Sequence, residues 1–253
     1  MKFKTAIVRI PGEDSGRGET TSGLGIPDLN TLLVQHRAYI EVLKRLGLTV
    51  VLLDPLPGYP DAYFVEDTAV IIPEAGIITN PGAVSRKGEE DSIELIMTKF
   101  KSTRRILEPG SLDGGDVLQA DRHFFIGLSE RTNQEGADQL RSILQSFGYT
   151  TGIVEEGKGL HLKSGVNYLG DRTLIITADL EGLPQFSDFK KIVVKEGEEY
   201  AANTLHVNGT IITPEGFPYT YDHLVKLGKP VISLNMSEVR KMDGGLTCMS
   251  LRF

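Results

Sequence analysis

The sequence predicts an α/β fold, a five-bladed pseudo-symmetric propeller of ββαβ units whose ring is closed by the N- and C-terminal strands. Three observations lead there. Four β-hairpins recur along the chain, each with a short turn rich in Gly, Asn or Asp. Their aligned residues Val70, Val117, Val166 and Leu205 stand 47, 49 and 39 residues apart, about the size of one supersecondary unit. Helical patterns follow some of the hairpins, and each leads into a further strand. Four such units leave sheet edges open. A fifth forms if the stretch around Cys248 pairs with the strand at residues 6–9, which removes the edges as propellers do.

Taken in order, residues 6–9 read as the first strand. Residues 11–23 are polar, glycine-rich and aperiodic, which marks a long loop: a lid or a plain connector. Pro27 opens a helix at its first position. Leu29, Leu32, Leu33, His36, Ile40, Leu43 and Leu46 continue it at helical spacing, and Gly47 closes it. His36 lies on that apolar face and reads as a hydrogen-bonded core histidine. Residues 49–53 are nearly all apolar, as in a strand buried on both faces. The hairpins follow, at residues 64–79, 114–127, 164–176 and 202–212. Between them, Ile93, Ile96, Met97 and Phe100 mark a helix. The next helix starts at Thr132 with Glu135 three residues on, a capping box. A shorter helix lies near residues 219–227. Strands are expected at residues 105–107, 151–154, 192–194 and 231–233. The polar–apolar alternation of Thr247, Cys248, Met249 and Ser250 reads as the final strand.

With 253 residues, 40% hydrophobic and 24% charged, the chain can bury a sizeable core, expected as a single domain over residues 1–253. A net charge of −7 carries no electrostatic footprint for nucleic acid. No apolar run approaches the roughly 18 residues of a membrane span. The first residues lack a signal-peptide core, and a single cysteine makes no demand for an oxidising compartment. A cytoplasmic location is the expectation.

That lone thiol, Cys248, is either inert packing or chemistry. The ring would collect polar residues from all five units at one channel: Asp61, Glu66, Asp67, Asp113 and Asp116, with His161 between two leucines. A cysteine, a histidine and an acid to orient it form the minimal nucleophilic set. Carboxylates outnumber bases, so the substrate should be cationic. Among carboxylates a thiol is a poor thiolate, and a bound cation would reverse that.

Four motifs then resemble a known family. Phe64-Val65-Glu66-Asp67, Leu112-Asp113-Gly114-Gly115-Asp116-Val117, Leu160-His161-Leu162-Lys163 and Asp243-Gly244-Gly245-Leu246-Thr247-Cys248 are similar in kind and order to those of the dimethylarginine dimethylaminohydrolases, of the guanidino-group-modifying superfamily. The likeness covers nearly the whole chain and implies the pentein form of the propeller. It implies Cys248 as nucleophile, His161 as general acid and then base, and Asp113 as its support. It implies Asp61, Glu66 and Asp67 as contacts at the guanidinium and amino ends of the substrate, and Arg86 and Arg131 as carboxylate clamps, a task that suits arginine. The backbone carbonyl of Met242 matches a receiver of the substrate ammonium, and Glu19 falls in the lid. The implied partner is a small methylated arginine, cleaved to citrulline and dimethylamine or methylamine. No metal or organic cofactor is expected, and a homodimer is compatible with the family. The rivals are arginine deiminase, agmatine deiminase, for which both arginines would be idle, and a non-catalytic propeller used as a binding module.

Overall fold

The computed structural model describes residues 2–155 and 160–253. Strand β1 (Thr5–Arg9) buries Ala6, Ile7 and Val8 completely. Helix α1 (Leu29–Arg45) follows, and its N-cap is Asp28, whose side chain accepts from the Thr31 N–H. Pro27 therefore lies before the cap and not at the first helical position. Leu32, His36, Tyr39, Ile40 and Leu43 make the buried stripe. Strand β2 (Thr49–Leu53) runs parallel to β1 at an edge of its sheet. Leu52 is 50% exposed there, so the strand expected to be buried on both faces is only partly covered.

The same pattern repeats four times. The second unit holds β3 (Ala69–Ile71), β4 (Gly76–Ile78), α2 (Glu89–Met97) and β5 (Thr103–Arg105). The third holds β6 (Val117–Ala120), β7 (His123–Gly127), α3 (Gln134–Ser146) and β8 (Thr150–Val154). The fourth begins with the single turn α4 (Leu162–Gly165) and continues through β9 (Val166–Tyr168), β10 (Thr173–Ile176), α5 (Ala178–Glu181) and β11 (Lys190–Val193). The fifth holds β12 (Leu205–Val207), β13 (Thr210–Pro214), α6 (Pro218–Val225) and β14 (Val231–Leu234). After α7 (Ser237–Arg240), strand β15 (Leu251–Arg252) returns to the start and pairs antiparallel with β1, Ala6 opposite Arg252 and Ile7 opposite Leu251. The result is five three-stranded sheets, ordered β15-β1-β2, β3-β4-β5, β6-β7-β8, β9-β10-β11 and β12-β13-β14. In each, the middle strand is antiparallel to the first and parallel to the third, as a hairpin followed by a helical crossover requires. Among the described residues, no helix is long and apolar enough to cross a membrane.

The hairpins depart from expectation in one consistent way. The residues before β3, β6, β9 and β12 are not strand but helical turns, Val65–Thr68, Gly114–Asp116, Leu162–Gly165 and Glu199–Ala202. Hydroxyls fold back on two of them: Thr68 Oγ1 donates to the Val65 carbonyl at 2.7 Å and Thr204 Oγ1 to the Ala201 carbonyl at 2.8 Å. Cys248 likewise sits in a turn before β15 and not within a strand. One local and one distant bond outweigh the alternation there: the Gly245 N–H points to Cys248 Sγ and the Thr247 N–H to Asn203 Oδ1. Helix α3 is capped by Asn133, which accepts from the Gly136 N–H, and not by Thr132, whose hydroxyl is engaged elsewhere.

Candidate active site

These turns and the residues that lead into them bring Asp67, Asp113 and His161 to one place. A small cavity of about 30 Å³ is lined by Glu19, Asp61, Asp67, Arg86, Asp113, Arg131, His161, Met242 and Cys248. Every candidate site residue named from the sequence is there except Glu66 and Asp116. The Glu66 carboxylate lines a second cavity of about 240 Å³ together with Lys163, Thr247 and Arg252. Lys163 Nζ lies 2.7 Å and Arg252 Nη2 3.3 Å from its Oε1, and Thr247 Oγ1 donates to Oε2 at 2.7 Å.

His161 and Asp113 are directly bonded, Nε2 to Oδ2 at 3.0 Å, with Asp67 Oδ1 3.9 Å from the same nitrogen. Burial disfavours charge on His161. The charge of Asp67, the bond to Asp113 and the charge of Asp116 outweigh it and push the imidazole up to about 9. Burial also opposes charge on Asp113, but the bond to His161 and the nearby Arg86 hold its carboxyl below the usual range. At neutral pH this is an aspartate–imidazolium pair.

Cys248 lies in the opposite condition. Burial, then the charges of Glu66 and Asp67, push its thiol up to about 12, against the Gly245 N–H at 3.3 Å and Lys163. The resting sulfur is a neutral thiol. Asp61 is held by one oxygen only: Oδ2 accepts from the Glu19 N–H at 2.9 Å, while Oδ1 is buried with no hydrogen-bond partner among the described residues. Burial raises the Asp61 carboxyl above its ordinary value. A buried carboxylate oxygen without a partner is costly unless a donor reaches it.

Arg86 underlies these acids. Its guanidinium is buried, with Nη1 2.5 Å from Asp67 Oδ2, Nη2 2.7 Å from Glu89 Oε2, and further Nη2 bonds to the Phe64 and Asp61 carbonyls. Arg131 is nearer the mouth and pairs with the Glu19 carboxylate. Glu19 also accepts from the Ser85 hydroxyl. Close approach of the chains demands glycine at two points. A Cβ on Gly115 would stand 2.7 Å from both Asp67 Oδ1 and His161 Cγ, and one on Gly244 would stand 2.1 Å from the Phe64 ring.

Asp116 was grouped with the channel carboxylates in the sequence, yet its work is structural. Oδ2 accepts from Ser129 Oγ at 2.6 Å and Thr132 Oγ1 at 2.7 Å, and Oδ1 from the Leu162 N–H at 2.9 Å. It thereby ties the loop of Arg131 to the turn of His161. Lys163, Thr247, Asn203 and Glu89 escaped the sequence reading. The one available signal was Lys163, a cation two residues from His161. Asp67, Asp113 and His161 each offer a donor atom within 4.8 Å of the others, close enough for a cation. Those atoms are engaged with one another, with the Gly115 N–H and with the Gly82 N–H, which suits proton transfer better than coordination.

A family model described as N,N dimethylarginine dimethylhydrolase, eukaryotic, matches residues 28–209. The N(G),N(G)-dimethylarginine dimethylaminohydrolase of Pseudomonas aeruginosa is 42% identical over 253 residues, covering 99% of this chain and all of that one. The chain belongs to the dimethylarginine dimethylaminohydrolase family. The family enzyme of Streptomyces coelicolor is 34% identical, over all of this chain and 98% of its own. Among solved structures, a P. aeruginosa dimethylarginine dimethylaminohydrolase with its cysteine changed to serine, complexed with citrulline, superposes with a TM-score of 0.98 at 42% identity over the full length of both chains. The N-terminal domain of ArgZ, an arginine dihydrolase from the ornithine–ammonia cycle in cyanobacteria, superposes with a TM-score of 0.86 at 17% identity over 99% of this chain and 98% of that one, a likeness of fold.

Proposed function

We propose that this chain hydrolyses Nω-methylated arginines to citrulline and dimethylamine or methylamine through a covalent intermediate on Cys248. The observation that supports it most is the convergence of Cys248, the His161–Asp113 pair and the half-satisfied Asp61 on one cavity. A guanidinium supplies what that cavity lacks. Its N–H groups satisfy Asp61 Oδ1 and the face of Asp67, and its charge offsets the carboxylates that keep the thiol protonated. The thiol releases its proton to solvent water, and the Sγ thiolate attacks the guanidino carbon. The bond to the methylated nitrogen breaks as imidazolium His161 gives that nitrogen a proton, and a thiouronium remains on sulfur. His161, now neutral, takes a proton from water, whose oxygen adds to the same carbon. The C–S bond breaks as the adduct's C–OH becomes the ureido carbonyl, its proton passes to the leaving sulfur, and citrulline and the neutral thiol result. Asp113 orients the imidazole throughout, the Met242 carbonyl receives the substrate ammonium, and Arg131, backed by buried Arg86, takes the carboxylate. Glu66, bound to Lys163, Arg252 and Thr247, acts from behind through its charge on the thiol.

The same proposal places the five units around one axis as a single catalytic domain, a closed propeller. Its support is a chain of contacts: β15 with β3, the turn Val65–Thr68 with Gly114–Asp116, β6 with β9, and β9 with β12. The Asn208 side chain, which bonds the backbone of Phe3 and Leu46, joins the fifth unit to the first. A cytoplasmic setting suits a reduced lone thiol. The test is citrulline release from asymmetric dimethylarginine, monomethylarginine, arginine and agmatine, side by side, in the wild type and Cys248→Ser. Turnover of the methylarginines, lost in Cys248→Ser, supports the proposal. Turnover of arginine or agmatine alone, or full activity in Cys248→Ser, refutes it.

A further inference from the structure

The only lining cation of the cavity near its mouth is already neutralised by the protein itself. Among the described residues that line it, the cations are Arg86, Arg131 and His161. Arg86 is saturated by Asp67, Glu89 and two carbonyls, and His161 by Asp113. Arg131 alone stands where an anionic group from outside could reach it, and its guanidinium holds the carboxylate of Glu19. Ser85 donates its hydroxyl to the other oxygen of that carboxylate. Glu19 thus presents to Arg131 the group that an α-amino acid would present, in the same charge state.

The backbone around Glu19 is fixed by the fold, while its side chain is held only by Arg131 and Ser85. The Glu19 N–H is bonded to Asp61 Oδ2, and the neighbouring Gly18 lies so close that a Cβ there would fall 2.0 Å from Asp61 Oδ1. Beyond it, Thr20 Oγ1 and Ser22 Oγ donate to the Lys241 carbonyl at 2.8 and 2.7 Å, and the Thr21 N–H to Asp243 Oδ2 at 2.5 Å. The Glu19 side chain is 45% exposed against 17% for Arg131, so it can rotate to solvent without moving the loop.

We infer that Glu19 is a specificity-determining residue, an internal competitor for the seat of the substrate α-carboxylate on Arg131. This rests on the functional proposal above, which gives Arg131 that seat. A methylarginine must displace Glu19 before its carboxylate can bind. Its apparent affinity is reduced by the fraction of molecules in which the seat is taken. A methylguanidino-alkylamine, with the same guanidinium but no carboxylate, finds Arg131 already neutralised and meets no competition. Glu19 therefore narrows the preference for amino-acid substrates over their decarboxylated counterparts.

Steady-state kinetics of Glu19→Gln with monomethylarginine and with the matching methylguanidino-butylamine test this, together with calorimetry of L-arginine binding to Cys248→Ser with and without Glu19→Gln. A half-exposed ion pair reinforced by one hydroxyl sets the scale. KM for methylarginine is expected to fall about three- to tenfold in Glu19→Gln. The Kd of L-arginine should fall by a similar factor, while KM for the amine stays or rises. Ser85→Ala should move the same constants in the same direction by less. An unchanged or raised KM for methylarginine in Glu19→Gln overturns the inference, a rise meaning that Glu19 binds substrate. Absence of any methylarginine turnover in the wild type overturns the functional proposal instead, and the calorimetric comparison then still decides whether Glu19 competes for Arg131.

Discussion

Replacement of Asp113 by Asn tests the electrostatic core of the mechanism. In the wild type the imidazole of His161 titrates at about 9 against an ordinary 6.5. That gap of about 2.5 units is roughly 3 kcal/mol in favour of the imidazolium. Three carboxylates produce it against the penalty of burial, Asp67, Asp113 and Asp116, and Asp113 alone is directly bonded at 3.0 Å. An amide of the same shape keeps an acceptor for Nε2 but removes one negative charge. The expected fall is about 1 to 2 units, to a value near 7 to 8. At pH 8 the protonated fraction would drop from about nine-tenths to between one-half and one-tenth, and kcat is expected to fall about two- to tenfold with it. Stability shifts in a set direction. A His raised in the folded state contributes fully below 6.5 and loses that contribution as pH rises through about 9. In Asp113→Asn the loss is complete one to two units earlier. The assays are an NMR titration of the His161 ring in wild type and variant, and kcat against pH. An imidazole that still titrates near 9 in Asp113→Asn would sink the account of Asp113, and unchanged kcat would sink the role of the pair.

The remaining predictions concern the thiol and the buried helix histidine. With Cys248 pushed up to about 12, only about one molecule in 10⁵ is thiolate at pH 7. Alkylation by neutral iodoacetamide should therefore be slow and rise tenfold per pH unit, and a bound guanidinium analogue should lower the thiol value by 2 units or more; ultraviolet thiolate absorbance that does not shift on binding refutes substrate-assisted ionisation. His36 is buried in α1 with Nε2 unpartnered among the described residues, and burial pushes it down to about 4. Its depressed value means that stability is lost as pH falls from 6.5 towards 4, by up to about 3 kcal/mol. Urea denaturation at pH 7 and pH 4.5 should show a smaller loss in His36→Leu, and parallel losses in variant and wild type contradict the assignment.

The hairpins, their turns and the pairing of the two terminal strands were legible because each depends on local chemistry. Asn208-Gly209 and Gly170-Asp171 turn the chain with φ angles that favour those residue types, 49° at Asn208 and 83° at Gly170. Cys248, His161 and Asp113 could be grouped once the repeat was seen, since equivalent positions of repeated units face one place. The helical turns that carry Glu66, Asp67 and Asp116 were read as strand. Val65 suits a strand by propensity and strands follow each turn directly, whereas the bends depend on side-chain and tertiary bonds such as Thr68 Oγ1 to the Val65 carbonyl and Glu66 N–H to the Cys248 carbonyl at 3.0 Å. Non-local partners were invisible for the same reason. Glu66 was expected beside the substrate, but Lys163 and Arg252, which draw it to the second cavity, come from segments 97 and 186 residues away. His36 was expected to be hydrogen-bonded, and among the described residues its Nε2 has no partner. Nothing in a helical stripe reports whether a partner atom will be waiting.

A neutral thiol beside an imidazolium is the reverse of the usual charged pair in a thiol enzyme, and the inversion has a use. Burial, with the charges of Glu66 and Asp67, holds Cys248 protonated, so the sulfur is nearly inert towards neutral electrophiles. A guanidinium brings the charge that offsets those carboxylates and becomes the electrophile in the same act, so recognition and activation are one event. The ureido group of the product has the shape of the guanidinium and none of its charge. It leaves the thiol near its resting value and cannot be attacked from the same site at a comparable rate. The set of acids that binds the charged reactant therefore also favours release of the neutral product. Moving one carboxylate out of this set would weaken binding and, at the same time, open the sulfur to uncharged reagents.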